Sequence, residues 1–200
     1  MIYKVLISAN SLWNIYNFRL GLIKMLLKNK YKVIIVAPYE ENYSQKLISI
    51  GCIYSPISID RKSLSPLKDI YLFIKYLRIM NQFKPNVFLG FTIKPNIYGS
   101  IASKILKVPR INNISGLGTV FLKGGILQYL VEFFYKLSLN KSRVVFFQNI
   151  EDSKKFIEKK IVNPNIVKIL PGSGVDLNRF KYSKPIKRPS DESIFLFLGR

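Results

Sequence analysis

The stretch NVFLGFTIKPNIYGS, Asn86 to Ser100, decides the fold. Its first six residues, NVFLGF, read as a strand too apolar to be half-exposed. Such strands belong in a parallel sheet covered on both faces by helices. A polar loop follows, in which Thr92, Lys94 and Asn96 alternate outward. Pro95 then opens a helix, a position that suits its fixed φ. The unit is strand, polar loop, helix.

The same unit recurs along the chain. Strands are expected at Tyr3–Ala9, Lys32–Ala37, Cys52–Ile57, Asn86–Phe91, Arg110–Ile114, Val144–Gln148 and Ile166–Leu170. Helices are expected at about Phe18–Asn29, Tyr43–Ile50, Pro66–Phe83, Asn96–Leu106, Ile126–Asn140 and Glu151–Lys160. The fold class is therefore α/β, a Rossmann-like parallel sheet with helices on both faces and right-handed crossovers. In such sheets ligands bind past the carboxyl ends of the strands. The strand-to-helix loops are where chemistry is expected.

Composition narrows the function. The 200 residues are 48% hydrophobic and 14% aromatic, which fits a globular chain. With 32 basic and 11 acidic residues the net charge is +21. That field attracts polyanions, namely nucleic acid, nucleotide diphosphates or anionic membrane. Equally, it fits a solvated surface in a Lys- and Asn-rich chain. The basic residues are spread along the sequence, which argues against a nucleic-acid arm. There is no histidine, so a Ser-His-Asp triad and a His-built zinc site are excluded in this chain. Cys52 is the single cysteine and reads as a packed thiol in a reducing compartment. The N-terminus lacks the pattern of a signal peptide. No run reaches the ~18 apolar residues of a membrane span. A cytoplasmic protein is expected.

Four loops carry unusual chemistry. Ser8–Arg19 (SANSLWNIYNFR) is long for its place and holds Asn10, Ser11, Asn14 and Arg19. It lacks GxGxxG, so a dinucleotide site is not supported. It either offers amides to a phosphate or is capped by Asn14 or Asn17 with Trp13 packed on the sheet. In Gly90–Ser100, Lys94 opposes the helix dipole, so it either meets an anion or is solvated. Asn112–Phe121 (NNISGLGTVF) has Gly116 and Gly118, whose amides could hold a sugar or phosphate, or make a plain turn. Ile169–Phe180 (ILPGSGVDLNRF) reads as an interdomain hinge or a terminal loop.

Together, NIYNFRLGLIKML, TIKPNIYGSIASK, NNISGLGTVF and LPGSGVDLNRF resemble the N-terminal domain of family-4 glycosyltransferases of GT-B architecture. The likeness is to the bacterial branch that adds an N-acetylhexosamine to a polyprenyl-diphosphate-linked sugar in surface glycan biosynthesis. The resemblance implies a domain at 1–180, a linker at 181–192, and at 193–200 the first strand of a truncated donor domain, seen in FLFLGR. It implies a UDP-sugar donor bound mostly by the missing domain, retention of configuration, and no cofactor or obligatory metal. It places the donor diphosphate near Asn10, Ser11, Asn14, Arg19 and Arg200. The acceptor diphosphate would suit Lys94, with Thr92, Asn96, Gly116 and Gly118 nearby. Many relatives place a histidine in this cleft; this chain has none, and no catalytic residue is assigned.

A polyprenyl-linked acceptor lies in the membrane, so the resemblance also implies a peripheral position on the inner face of the cell membrane. Lys68–Phe83 and Leu127–Arg143 mix basic with apolar and aromatic residues. They fit an anionic membrane surface, or simply pack an apolar stripe on the sheet. Two readings remain beside the enzyme half, which is expected to be inactive alone. One is a non-catalytic module that holds a lipid-linked sugar or anionic membrane. The other, a nucleic-acid binder, rests on charge alone and lacks a recognition motif; no nucleic-acid partner is expected.

Overall fold

The computed structural model describes residues 2–60, 65–118, 121, 125–184 and 195–197. Seven strands form one sheet: β1 Lys4–Ser8, β2 Lys32–Ala37, β3 Ile53–Pro56, β4 Val87–Phe91, β5 Arg110–Ile114, β6 Val144–Phe147 and β7 Val167–Ile169. Their order is β3-β2-β1-β4-β5-β6-β7 and every neighbouring pair is parallel. This is the Rossmann-like parallel sheet that the apolar strands imply.

The uninterrupted apolar runs follow from burial on both faces. Val5 and Ile7 of β1 join Val33 and Ile35 of β2 in a core under α1 (Leu12–Lys28) and α2 (Glu41–Ser49). Leu6 and Ile34 point the other way, onto α3 (Pro66–Phe83) and α4 (Ser100–Ile105). Val145 and Phe147 of β6 pack with α5 (Ile126–Leu139) and α6 (Ile150–Glu158). Coverage is uneven. Ile111, Val144 and Phe146 alternate to the α1 side, stay half-buried and belong to none of these three cores.

Two local features differ from the sequence reading. The first helix starts at Leu12, not Phe18, so the supposed long loop shrinks to residues 9–11. Ser11 is its N-cap and accepts from the Asn14 amide at 3.1 Å; neither Asn14 nor Asn17 caps it. Trp13 does not pack on the sheet: it is partly exposed and meets Phe18 edge-on at 5.4 Å. The helix after β4 opens as a π-helical turn, Pro95–Gly99, before α4 proper. Such turns recur at functional sites. Here Gly99 lets it close on the sheet, because a Cβ there would stand 2.4 Å from Phe88 Cζ.

The donor-domain strand expected at 193–200 is described only at Phe195–Phe197, which are exposed and join no strand among the described residues. Leu198, Gly199 and Arg200 lie outside the described residues.

Candidate functional site

Strand order reverses between β1 and β4, so the loops leaving their carboxyl ends diverge and leave a crevice. The two loops are stitched together there. The Asn10 amide donates to Thr92 Oγ1 at 3.1 Å, and the same hydroxyl donates to the Phe91 carbonyl at 2.5 Å. Thr92 sits at φ +65°, where a β-branched residue is strained by roughly 1–3 kcal/mol. Below it, Ser8 is fully buried, with its Oγ 2.6 Å from the Val36 carbonyl and 2.7 Å from the Tyr76 hydroxyl.

The amides of the α1 N-terminus are already taken. Glu40, just past β2, accepts from Leu12 N at 3.0 Å and from Trp13 N at 3.1 Å. A carboxylate therefore sits where the sequence reading put a phosphate, for the same electrostatic reason. Asn10, Ser11 and Asn14 surround this start; the Asn14 side-chain oxygen is buried and meets no donor.

Arg19 lies about two turns further along α1. It is only 7% exposed, yet among the described residues no carboxylate pairs with it. Its guanidinium lies 4.4 Å above the Phe91 ring, at the carboxyl end of β4. Nη1 donates to the Phe18 carbonyl at 3.1 Å and to Ser173 Oγ at 2.6 Å, while Nε has no acceptor. Burial lowers its pKa from the ordinary arginine value to about 10, so it remains a cation at neutral pH. A buried charge is costly unless something compensates it. An anion would.

Lys94 is arranged differently. Its Nζ lies 2.6 Å from Asp69 Oδ1 on α3, with both side chains mostly buried. Tyr98 donates to the other carboxylate oxygen at 2.8 Å. Burial first, then Asp69, push the Tyr98 pKa up. The lysine does oppose the helix dipole and does meet an anion, but the anion comes from α3 rather than from its own loop. The group opens on a cavity of about 440 Å³ with Ser58, Asp60, Leu67 and Tyr71 on its wall. Any diphosphate that binds Lys94 must compete with Asp69.

Asn96 lies under the site rather than in it. It is 1% exposed, donates to the Asn113 carbonyl at 2.9 Å and accepts from Asn112 Nδ2 at 2.9 Å. Asn112 also donates to Ser100 at 2.7 Å and accepts from Ser142 at 2.9 Å. Gly90 makes room for this network: a Cβ there would stand 2.6 Å from Asn96 Oδ1. Buried polar groups need such partners, so the network fixes the π-turn on β5. Gly116 and Gly118 have φ +146° and +75°. A Cβ on Gly118 would reach Ile93 at 3.1 Å, so this loop borders the second one as expected.

The turn after β7 folds back over α1. Ser173 reaches Arg19, and Arg179 donates to Asn17 at 3.2 Å. Between them lies a cavity of about 1120 Å³, with Trp13, Phe18, Lys24, Lys46 and Phe180 on its wall. Glu40, Asp69 and Ser173 were not singled out in the sequence. For the acids a signal existed: in a chain with 11 acidic residues, a carboxylate beside a strand-to-helix loop is rare enough to notice. Among the described residues no three His, Cys, Asp or Glu gather as metal ligands.

Comparison with known proteins identifies the family and the fold. An enzyme of Campylobacter jejuni named N,N'-diacetylbacillosaminyl-diphospho-undecaprenol alpha-1,3-N-acetylgalactosaminyltransferase is 26% identical over 172 residues, covering 84% of this chain and 45% of its own. Among solved structures, MurG of Acinetobacter baumannii superposes with a TM-score of 0.57 at 16% identity, over 88% of this chain and 46% of its own. HepE of Anabaena, in complex with UDP and glucose, gives 0.61 at 15% identity over 90% and 47%. A UDP-N-acetylglucosamine 2-epimerase gives 0.64 at 13% identity over 94% and 53%. At these identities the structures share the fold alone. The chain spans about half the length of the relatives it matches. The family model described as Glycosyl transferase 4-like matches residues 4–149, and with most of the chain inside that match, this protein belongs to the glycosyltransferase 4-like family of GT-B architecture.

Proposed function

We propose that this chain is the acceptor-side half of a glycosyltransferase that moves an N-acetylhexosamine from a UDP-sugar to a polyprenyl-diphosphate-linked saccharide, with retention, in surface glycan biosynthesis. The observation that carries the reading is the family match over residues 4–149, and Arg19 fits it: a buried guanidinium with no carboxylate partner among the described residues, at the topological switch. Electrostatic stabilisation of a departing diphosphate is the main task of such an enzyme, and a fixed cation in a dry cleft suits it. The name of the Campylobacter relative supports the sugar and acceptor classes. Asn10, Ser11 and Asn14 lie beside the crevice that would take the donor diphosphate, displaced from the α1 amides that Glu40 holds; Arg200, assigned to the same group, lies outside the described residues. Thr92, Lys94, Gly116 and Gly118 face the acceptor, and Asn96 acts by holding their loops. In this reading most UDP contacts belong to a donor half, so the acceptor half by itself does not turn over.

The acceptor class calls for a membrane surface, and one face of the molecule suits it. Leu67, Ile70, Tyr71 and Ile74 recur at helical spacing on α3 and are all exposed. Ile126, Tyr129, Leu130 and Phe133 do the same on α5. Both helices therefore carry a second apolar stripe, facing outward, and on α3 it reaches the Lys94 cavity through Leu67 and Tyr71. Lys68, Lys75 and Arg78 lie along α3 to meet anionic headgroups. Among the described residues no helix is long and apolar enough to cross a membrane. The same stripes favour the second reading, a non-catalytic module that holds the lipid-linked sugar.

A transfer assay separates the two. Radiolabelled UDP-N-acetylhexosamine and a polyprenyl-diphosphate sugar are incubated with this chain, and with a chain extended by the donor half. Transfer only by the extended chain supports the enzyme reading. Lipid binding without nucleotide binding or transfer by either chain supports the module. Transfer by this chain alone, above a Lys94→Ala control, overturns the half-enzyme assignment.

A further inference from the structure

Ser173 sits on the turn after β7, far from Arg19 in sequence, yet its hydroxyl is the closest partner of that cation. Ser173 itself is exposed. It forms a thin cover, one hydroxyl deep, over a guanidinium that is otherwise bonded only to its neighbour's carbonyl and stacked on Phe91. An arginine carries five N–H donors in a fixed fork that matches a phosphate. Both recorded bonds leave from Nη1, and the buried Nε has no acceptor. A neutral hydroxyl satisfies such a fork poorly, and an oxyanion satisfies it well.

We propose that Arg19 is the receptor for one phosphate of a diphosphate, and that Ser173 keeps this receptor closed until the anion displaces it. Anion binding and release of the 171–174 turn are then one event. Gly172 and Gly174, both at φ +74°, flank Ser173, so the turn can swing without dragging a side chain through a forbidden conformation. The segment that follows, bonded to α1 through Arg179 and Asn17, leads toward the rest of the chain. A filled Arg19 site would free the start of that segment, and an empty one would hold it. The identity of the anion as a sugar-nucleotide diphosphate rests on the transferase reading; the receptor and its cover do not.

The test uses this chain and inorganic pyrophosphate, with UDP as a second probe. Trp13 is the only tryptophan and lines the same cavity as Ser173, so its emission reports on the turn. Ser173→Ala removes the competing hydroxyl. A hydrogen bond to a charged group that no longer has to be broken predicts about tenfold tighter pyrophosphate binding. Arg19→Gln should abolish the saturable part of binding, leaving only what the remaining surface charge contributes. A thermal melt shows whether each variant is folded. If Arg19→Gln does not fold, Arg19→Lys, which keeps the charge without the fork, should bind more weakly than the native chain. Limited proteolysis gives a second readout: pyrophosphate should speed cleavage within residues 171–180 of the native chain, and Ser173→Ala should be cut quickly without it. Equal or weaker binding by Ser173→Ala overturns the gate, and so does cleavage that ignores the anion. Binding that survives in folded Arg19→Gln overturns the receptor. None of these binding, melting and cleavage measurements needs a sugar, a lipid or a second half. An extended chain that transfers sugar normally with Arg19→Gln would sink the receptor and leave the transferase reading intact.

Discussion

Among the described residues, five of the six non-glycine positions with positive φ are lysines: Lys30, Lys84, Lys107, Lys141 and Lys160. Each follows the C-terminus of a helix, where a left-handed residue is needed to turn the chain and glycine is the usual choice. After α2, Gly51 fills the equivalent place. The hydrogen bonds are those of the motif: Val108 N returns to the Ser103 carbonyl at 2.8 Å, and Ile161 N to the Phe156 carbonyl at 2.9 Å. A lysine there strains its backbone but sets a cation against the negative helix end. A matched pair of variants isolates the strain. Lys107→Gly and Lys107→Ala lose the same charge, but only glycine relaxes φ, so the glycine form should be more stable by about 1 kcal/mol in urea unfolding. Equal midpoints would show that φ +57° costs nothing. Cys52 supplies a second residue-scale test. Burial raises its thiol from 9.0 to about 11, so the fold favours the neutral form. Above pH 9 the unfolded chain ionises and the folded chain does not. Stability should therefore fall from pH 9 and level off near pH 11, losing about 2–3 kcal/mol from this group. Cys52→Ala should remove that component, read as a flatter decline in stability over the same interval.

At the scale of elements, strands β2 and β5 have the bounds that the apolar runs imply, and α3 begins at Pro66 and ends at Phe83 as read. Burial on both faces makes such strands visible, and proline and periodicity mark such a helix. The start of α1 was not legible. NSLWNIYN looks like a polar loop, because the group that completes its cap is Glu40, distant in sequence and brought close only by the β1–β2 pairing. The candidate site was legible to the same degree. Strand ends and loop composition pointed to Arg19, Thr92 and Lys94. Their partners Ser173 and Asp69 lie on other elements, and no local pattern announces them. Asn96 shows the limit from the other side: its residue type suggested ligand binding, and only the buried network with Asn112 reveals a structural task. If Glu40 completes the cap that Ser11 begins, Glu40→Ala should destabilise the chain by about 1–2 kcal/mol, the range for loss of a helix cap. Glu40→Gln, which keeps an acceptor of the same length, should recover part of it. A loss below a few tenths in chemical denaturation would mean that water serves the Leu12 and Trp13 amides equally well.

For the whole molecule, the question is what a charge of +21 is for. The helix-terminal lysines lie at the amino edge of the parallel sheet, since each helix runs back against its strand. That is the edge opposite the crevice. Five of the 32 basic residues are thus tied to helix ends and remote from any ligand at the switch point. The outward apolar stripes of α3 and α5 lie on one helical layer instead, and their N-terminal halves approach the crevice edge. Diffuse charge would draw the protein to any anionic surface, whereas the stripes would decide which face lands. These two contributions separate by mutation. Tyr129 and Phe133 are 72% and 62% exposed, so serine at both should leave the fold intact. Partial burial of two aromatic side chains is worth about 2 kcal/mol or more, which predicts at least a tenfold loss of affinity for phosphatidylglycerol-rich vesicles in flotation assays. Lys107→Glu with Lys160→Glu, on the opposite edge, changes the net charge by four but removes nothing from the landing face. Screening over a Debye length of about 8 Å should hold its effect to roughly twofold at physiological salt. If the charge reversals cost more than the aromatic pair, the molecule adheres by net charge alone and the stripes belong to some other contact. If the aromatic pair dominates and its effect survives high salt, the membrane meets the layer of α3 and α5, with the Lys94 cavity turned toward the headgroups.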